Sequence, residues 1–312
     1  MPWKAGYTIS DERGIRDADL RWPDGRRCCV GVTVDLSPPC GADGIQAADL
    51  RTPEAQYGMH GALDALLGML RRHRLRATFA VPGVIAAIHP AKVRALLDDG
   101  HEVAAHGFRR EDVSTLDRAE EKVRLERTTE IIRQATGQRP AGWFTLPRQG
   151  DRYAGGGISP HTVDLLLEAG YGYLGNGLAD DVPHWWVADF ATRRAILALP
   201  YYYHFDDQFF LLFPAKGTGL EHPDALSRNW RAEFEAQYGR GRHFTMTLHP
   251  HAIGFPNRLQ MLDEFLTYMG SFPDLWNPTG AECARHWTAT YPASSHLRLE
   301  PSVWQDHPGS LS

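Results

Sequence analysis

Short apolar runs alternate along this chain with stretches in which apolar residues recur every three or four positions. Cys28–Asp35 reads as a buried strand, and 60–74 as a helix with Leu63, Leu66, Leu67 and Leu70 on one face. Residues 77–81 and Glu102–Ala105 read as strands, separated by a helix over 90–99 that stops before Gly100. The longest helix covers Arg118–Thr136: Asp117 and Glu120 give it a capping-box start and Gly137 a stop. Beyond it the pattern predicts strands at 141–144, 170–174, 196–200, 244–248 and 275–277. Helices are predicted at 160–169, 225–238, Pro256–Gly270 and 281–286.

Repeated strand–helix units call for a parallel sheet covered by helices. About seven strands fit an irregular α/β barrel better than an open two-domain sheet. The whole of 1–312 is therefore expected to form one domain, with a core over about 28–290, an N-terminal arm (1–27) and a C-terminal tail (291–312). In such folds the active site forms at the C-terminal ends of the strands. Asp35, His106 and His249 each follow an apolar strand directly, so three strand ends are expected to converge on one mouth.

Composition narrows the classes of function. Hydrophobic residues make up 43% and charged residues 23%, as in ordinary globular proteins that bury a full core. Lys and Arg number 33 against 38 Asp and Glu, a net charge of −5 with no basic stripe, which argues against nucleic acid. No apolar run, 209–214 included, approaches the ~20 residues that span a bilayer. The start of the chain lacks the apolar segment of a signal peptide, so a cytoplasmic protein is expected. Cys28, Cys29, Cys40 and Cys283 contain no C-x-x-C pair and read as reduced thiols, with Cys28 and Cys29 on opposite faces of their strand.

A strand-end carboxylate such as Asp35 serves as general base, ligand or turn cap. His106, followed by Gly107 and Phe108, is either a proton shuttle or a buried structural histidine. His249, in Leu248-His249-Pro250-His251, suits a general acid for a leaving nitrogen. The H-x-H spacing with His251 is weak evidence for a metal. Trp143, Phe144 and Arg148 sit at another strand end, where aromatics wall pockets and an arginine binds a carbonyl or carboxylate. Trp185, Trp186 and Tyr201 to Tyr203 add aromatic material, and Asp206-Asp207 reads as a turn. There is no G-x-S-x-G elbow, phosphate loop or H-E-x-x-H, and Gly155-Gly156-Gly157 lacks the dinucleotide spacing.

Together these segments resemble the polysaccharide deacetylase superfamily. The likeness is carried by the Asp35 strand, Thr78-Phe79-Ala80-Val81-Pro82, Gly100 to Phe108, Leu248 to Pro256, and the closing Gly280 to Trp287. The resemblance implies a distorted barrel that hydrolyses a C–N bond. In its deacetylase members one Asp and two His hold a divalent metal beside a second, catalytic Asp. The catalytic Asp falls on Asp35 and one His ligand on His106. The other two ligand positions hold Ser37 and Arg110, a poor ligand and a permanent cation.

The superfamily's allantoinase-like and cyclic-imide-hydrolase-like members work without metal. Gly142-Trp143-Phe144-Thr145, Ala179 to Trp185 and Leu199-Pro200-Tyr201 resemble segments of that subgroup. The departures are Leu36 to Cys40 where those allantoinases carry acidic residues, and His60 where they carry arginine.

The expected activity is metal-independent ring opening of a small cyclic amide, imide or ureide. Asp35, His106 and His249 would be catalytic. Arg110, Trp143, Phe108, Arg148, His60 and Trp185 would bind substrate. No cofactor is expected; a displaced divalent ion on Asp35, His106 and His249 is the variant of this reading. A metal-dependent deacetylase of an N-acetylated amino sugar and an inactive barrel used for binding are the alternatives. The expected partner is a small molecule, with neither nucleic acid nor membrane, and the resemblance implies a homo-oligomer.

Overall fold

The computed structural model describes residues 14–148, 151, 157–189, 192, 194–211 and 222–296. Gly155 and Gly156, the second half of the 209–214 run, the first half of the N-terminal arm and most of the C-terminal tail lie outside the described residues.

Nine strands form one sheet among the described residues: β1 (Cys28–Asp35), β2 (Thr78–Val81), β3 (Glu102–Ala105), β4 (Gly142–Trp143), β5 (Tyr173–Gly177), β6 (His184–Asp189), β7 (Arg194–Pro200), β8 (His243–Leu248) and β9 (Leu275–Trp276). The order is β6-β7-β5-β4-β3-β2-β1-β8, with β9 on β1. The seven strands from β7 round to β8 run parallel, as expected, and β6 is an added antiparallel edge. No ladder joins β7 to β8 among the described residues. The Tyr202 hydroxyl spans that seam, donating to the carbonyls of His243 (3.0 Å) and Asp181 (3.1 Å).

Strand periodicity sorts the side chains into two layers. Val30, Val32, Val34, Phe79, Val81, Val103 and Ala105 face outward and pack under the helices. Cys29, Ala80, Ala104, Phe144, Tyr173 and Leu197 face the other way, into the barrel. Strands covered on both faces carry near-continuous apolar runs, which is why they were legible without alternation. On β8 the outward set is Phe244, Met246 and Leu248, and the inward set is polar: His243, Thr245 and Thr247. The chemistry-bearing residues therefore lie on the inner face, near the strand ends.

Several elements differ from the sequence pattern. Residues 170–172 are the exit from helix Thr162–Glu168, with Gly170 left-handed at φ +76°, so β5 starts at Tyr173. The helix expected over 60–74 starts with a π-turn at Gly58–Ala62 and continues as Leu63–His73. The strand His184–Asp189 has no counterpart in the sequence reading, where its Trp pair counted only as aromatic material. No described helix is long and apolar enough to cross a membrane. All four cysteines are free.

The barrel lumen is closely filled, and glycines make room at specific points. A Cβ on Gly175 would collide with the ring of Phe144, whose carbonyl holds His106. Gly175→Ala is expected to destabilise the protein by about 1–3 kcal/mol, read from denaturant melts. Unchanged stability would show that the lumen yields at this level.

Candidate active site

Asp35 ends β1 on the inner face, fully buried. Its Oδ1 accepts the Ser37 N–H at 2.9 Å. Its Oδ2 receives three groups from two other strand ends: Arg110 Nη2 at 2.9 Å, His249 Nε2 at 3.3 Å and His106 Nε2 at 3.4 Å.

Arg110 reaches this point because the chain after β3 turns sharply. Gly107 takes φ +69° and Arg110 itself φ +60°. A left-handed non-glycine residue costs on the order of 1 kcal/mol. The turn is pinned by its own carbonyls: Gly107 O and Phe108 O accept from Gly83 and Val84 (2.9 Å each), and Arg109 O from Ile45 (2.7 Å). The Arg110 side chain folds back, 5% exposed, donating from Nε to His106 Nε2 (3.1 Å) and from Nη2 to Pro147 O (2.8 Å). Arg148 supports it from behind, giving Nη1–H to Arg110 O at 2.6 Å and pairing with Asp151.

These contacts fix the state of His106. Its Nδ1 lies 3.0 Å from the Phe144 carbonyl and so carries the proton, while Nε2 accepts from Arg110. The Nε2 lone pair of His106 is thereby engaged, and it orients Arg110.

His249 has a different set of partners. Its Nδ1 is 2.7 Å from Asp207 Oδ1, its backbone N–H donates to Asp207 Oδ2 (2.9 Å), and Asp206 Oδ1 is 3.5 Å away. Burial alone would lower its pKa, but Asp206 and Asp207 overcome this and raise it to about 10. The chain Asp207–His249–Asp35 thus carries a proton on the imidazole at neutral pH. Burial pushes Asp206 up to about 6, with the Asp207 charge adding to the rise. Asp206 is held by the Tyr201 hydroxyl (2.7 Å) and the Gln208 N–H (3.0 Å). Burial also works against ionisation of Asp35, yet the Arg110 guanidinium above all, with His249, holds it well below the usual carboxylate range.

Asp35 Oδ2 and His249 Nε2 face each other with no aligned hydrogen-bond partner, and Ser37 Oγ also has none. Beyond their ion pairs the bonding capacity of Asp35 Oδ2 and His249 Nε2 is incomplete, and a water or substrate atom would complete it. His251 packs edge-on to His249 with centroids 5.6 Å apart, and burial, then the His249 charge, lowers its pKa to about 3. Half-buried Cys40 lies near Arg110, and burial raises its thiol above the ordinary value.

The structure thus brings together Asp35, His106, Arg110 and His249, with Arg148 behind them. Phe108 and Trp143 line an adjoining cavity of about 40 Å³, whose wall includes His106, Arg110 and Arg148. Two expected substrate residues are elsewhere. Trp185 lies on antiparallel β6, which carries it toward the barrel floor, where its Nε1–H donates to Tyr291 O at 2.9 Å. His60 is exposed on the π-turn, edge-on to His89. Asp206-Asp207 corrects the sequence reading in the other direction. It is more than a turn, because helix Asp207–Leu211 starts there and presents both carboxylates to His249. The available signal was its position just beyond the β7 strand end.

The expected titration of His249 can be read by NMR of the imidazole. The midpoint should lie near pH 10 and fall toward the ordinary 6.5 in Asp207→Asn. The folded protein binds this proton more tightly than the unfolded chain. Its stability contribution is therefore complete below about pH 6.5 and lost as pH rises toward 10. An unchanged midpoint in the variant would remove Asp207 as its cause.

The description "Polysaccharide deacetylase" belongs to the family model that matches residues 54–174. The chain is 23% identical over 269 residues to a peptidoglycan deacetylase of Helicobacter pylori, covering 77% of this chain and 89% of that protein. A crystal structure from Mycobacterium smegmatis assigned to the polysaccharide deacetylases superposes with a TM-score of 0.73 at 27% identity, covering 89% of this chain and 95% of that one. PuuE allantoinase superposes with a TM-score of 0.74 at 23% identity, covering 90% and 95%.

Proposed function

We propose that this chain, which is similar to polysaccharide deacetylases, is a C–N hydrolase that opens the ring of a small cyclic amide, imide or ureide without a metal. The observation that carries this reading is Arg110. Its guanidinium lies 2.9 Å from Asp35 and donates to the lone pair of His106 that a metal would need.

The donor sets do not fit a divalent ion. An ion on Asp35, His106 and His249 would meet Arg110 at contact distance in a buried site. The second cluster, Asp206, Asp207 and His249, has its carboxylate oxygens already accepting from Tyr201, Gln208 and His249. No step is therefore assigned to a metal.

In this mechanism Asp35 accepts a proton from water as it attacks the ring carbonyl. Arg110 supplies fixed positive charge where the tetrahedral oxyanion forms, a preorganised stabilisation in a dry site. His249, protonated between Asp207 and Asp35, gives its proton to the departing ring nitrogen. His106 holds the plane of Arg110. Phe108 and Trp143 wall the pocket for a flat ring. The likeness to an allantoinase supports the substrate class, and the reading includes a homo-oligomer acting in the cytoplasm on a small molecule. The net charge of −5 supports the absence of a nucleic-acid partner.

A panel of hydantoins, imides and ureides, assayed with and without a chelator, tests the proposal. Ring opening should survive chelation, and Asp35→Asn should lower turnover by about a hundredfold or more with the fold intact. Activity abolished by chelation and restored by zinc would instead support a metal-dependent deacetylase. Ligand binding with no turnover of any ring or acetamide would leave a binding barrel.

A further inference from the structure

The same inner stripes of β1 and β8 that end in Asp35 and His249 begin with Cys29 and His243. Those two residues are paired in register at the opposite end of the barrel. Helix Gly280–Thr290 covers that end and turns Cys283 toward them. One ligand atom from each of Cys29, His243 and Cys283 lies within 4.8 Å of the others, and all three residues are buried.

The histidine is the second, independent sign. His243 is 4% exposed, and its Nδ1 has no hydrogen-bond partner among the described residues. Its Nε2 faces Gly31, where an added Cβ would stand 3.2 Å away, so the strand leaves space for the ring at the cost of a side chain. A buried, unpartnered imidazole nitrogen is expensive unless something fills its lone pair or takes its proton. The nearby carboxylate of Asp181 cannot serve, because Arg242, Gln237 and Arg240 already occupy it. Trp22 packs against both His243 and Trp287 at centroid distances of 6.3 and 5.9 Å, closing the site with aromatic rings.

We propose that Cys29, His243 and Cys283 form a structural site for a thiophilic d10 cation, a site separate from the catalytic mouth. Two thiolates and one imidazole are soft ligands suited to Cu⁺ or Zn²⁺. Three ligands match three-coordinate Cu⁺; Zn²⁺ would need a fourth donor from outside the cluster. Binding releases one proton from each thiol to solvent and forms two metal–sulfur bonds and one metal–nitrogen bond, with no change of oxidation state. The bound ion would clamp helix Gly280–Thr290 onto β1 and β8 and so hold the barrel floor closed.

The test loads the full chain, kept anaerobic with a phosphine reductant, with Zn²⁺ or Cu⁺ alone. It then dialyses the protein against a competing chelator and measures retained metal by elemental analysis. Wild type should retain about one ion per chain and gain thermal stability on loading. Cys283→Ser should lose affinity by about tenfold or more, while Cys283→His, which keeps a ligand, retains binding. Circular dichroism checks that each variant folds. Retention of Cu⁺ only, or of Zn²⁺ as well, supports the site and separates the two ions. Retention of neither overturns it, as would equal retention by Cys283→Ser or a Cys29–Cys283 disulfide found in the purified protein by peptide mapping.

Discussion

The buried ion pair between Arg110 and Asp35 is the constraint from which the rest of the catalytic mouth follows. Two charges removed from water each cost several kcal/mol, and only close geometry and further hydrogen bonds offset that. The structure supplies both. Arg110 is held by His106 and Pro147 O and its backbone by Arg148, while Asp35 is met by the Ser37 N–H and by His249. Removing either partner would strand the other charge in the lumen, a loss of about 3–5 kcal/mol by analogy with other buried pairs.

That pair also divides the labour of the two histidines. Arg110 donates to His106, which acts as a support. Asp206 and Asp207 face His249 and raise its pKa to about 10, so His249 carries the proton. Two residues of one type at two strand ends acquire different roles because one faces a guanidinium and the other two carboxylates. The same arrangement depresses the Asp35 pKa, which lowers its strength as a base. A water or substrate carbonyl entering beside Arg110 would share the positive charge and return some of that basicity.

Much of the scaffold was legible because parallel strands buried on both faces are written as apolar runs. β1, β3 and the helices Arg118–Thr136 and Pro256–Gly270 have the bounds that their apolar runs, caps and stops predict. β6 was not legible, since an edge strand rich in tryptophan has no neighbour in sequence to mark its pairing. The convergence of Asp35, His106, Arg110 and His249 was legible from strand-end position and from the resemblance. Asp206 and Asp207 were not, because an Asp-Asp pair after Tyr-His-Phe carries the same local signal as a turn. Trp185 and His60 show the reverse error: aromatic or basic character marked them, and their places in the fold put them on the floor and on the surface.

The sequence by itself determined the strand–helix alternation and the strand ends that bear chemistry, and it carries Ser37 and Arg110 at positions where the resemblance implies metal ligands. These are encoded locally, in periodicity and in residue type. Only the tertiary structure decided which nitrogen of each histidine is engaged, which carboxylates face His249, and that Cys29, His243 and Cys283 meet beneath the barrel. Those facts depend on register between strands far apart in the chain and on a desolvated interior, where a contact of three ångströms sets the charge of a group and no local pattern records it.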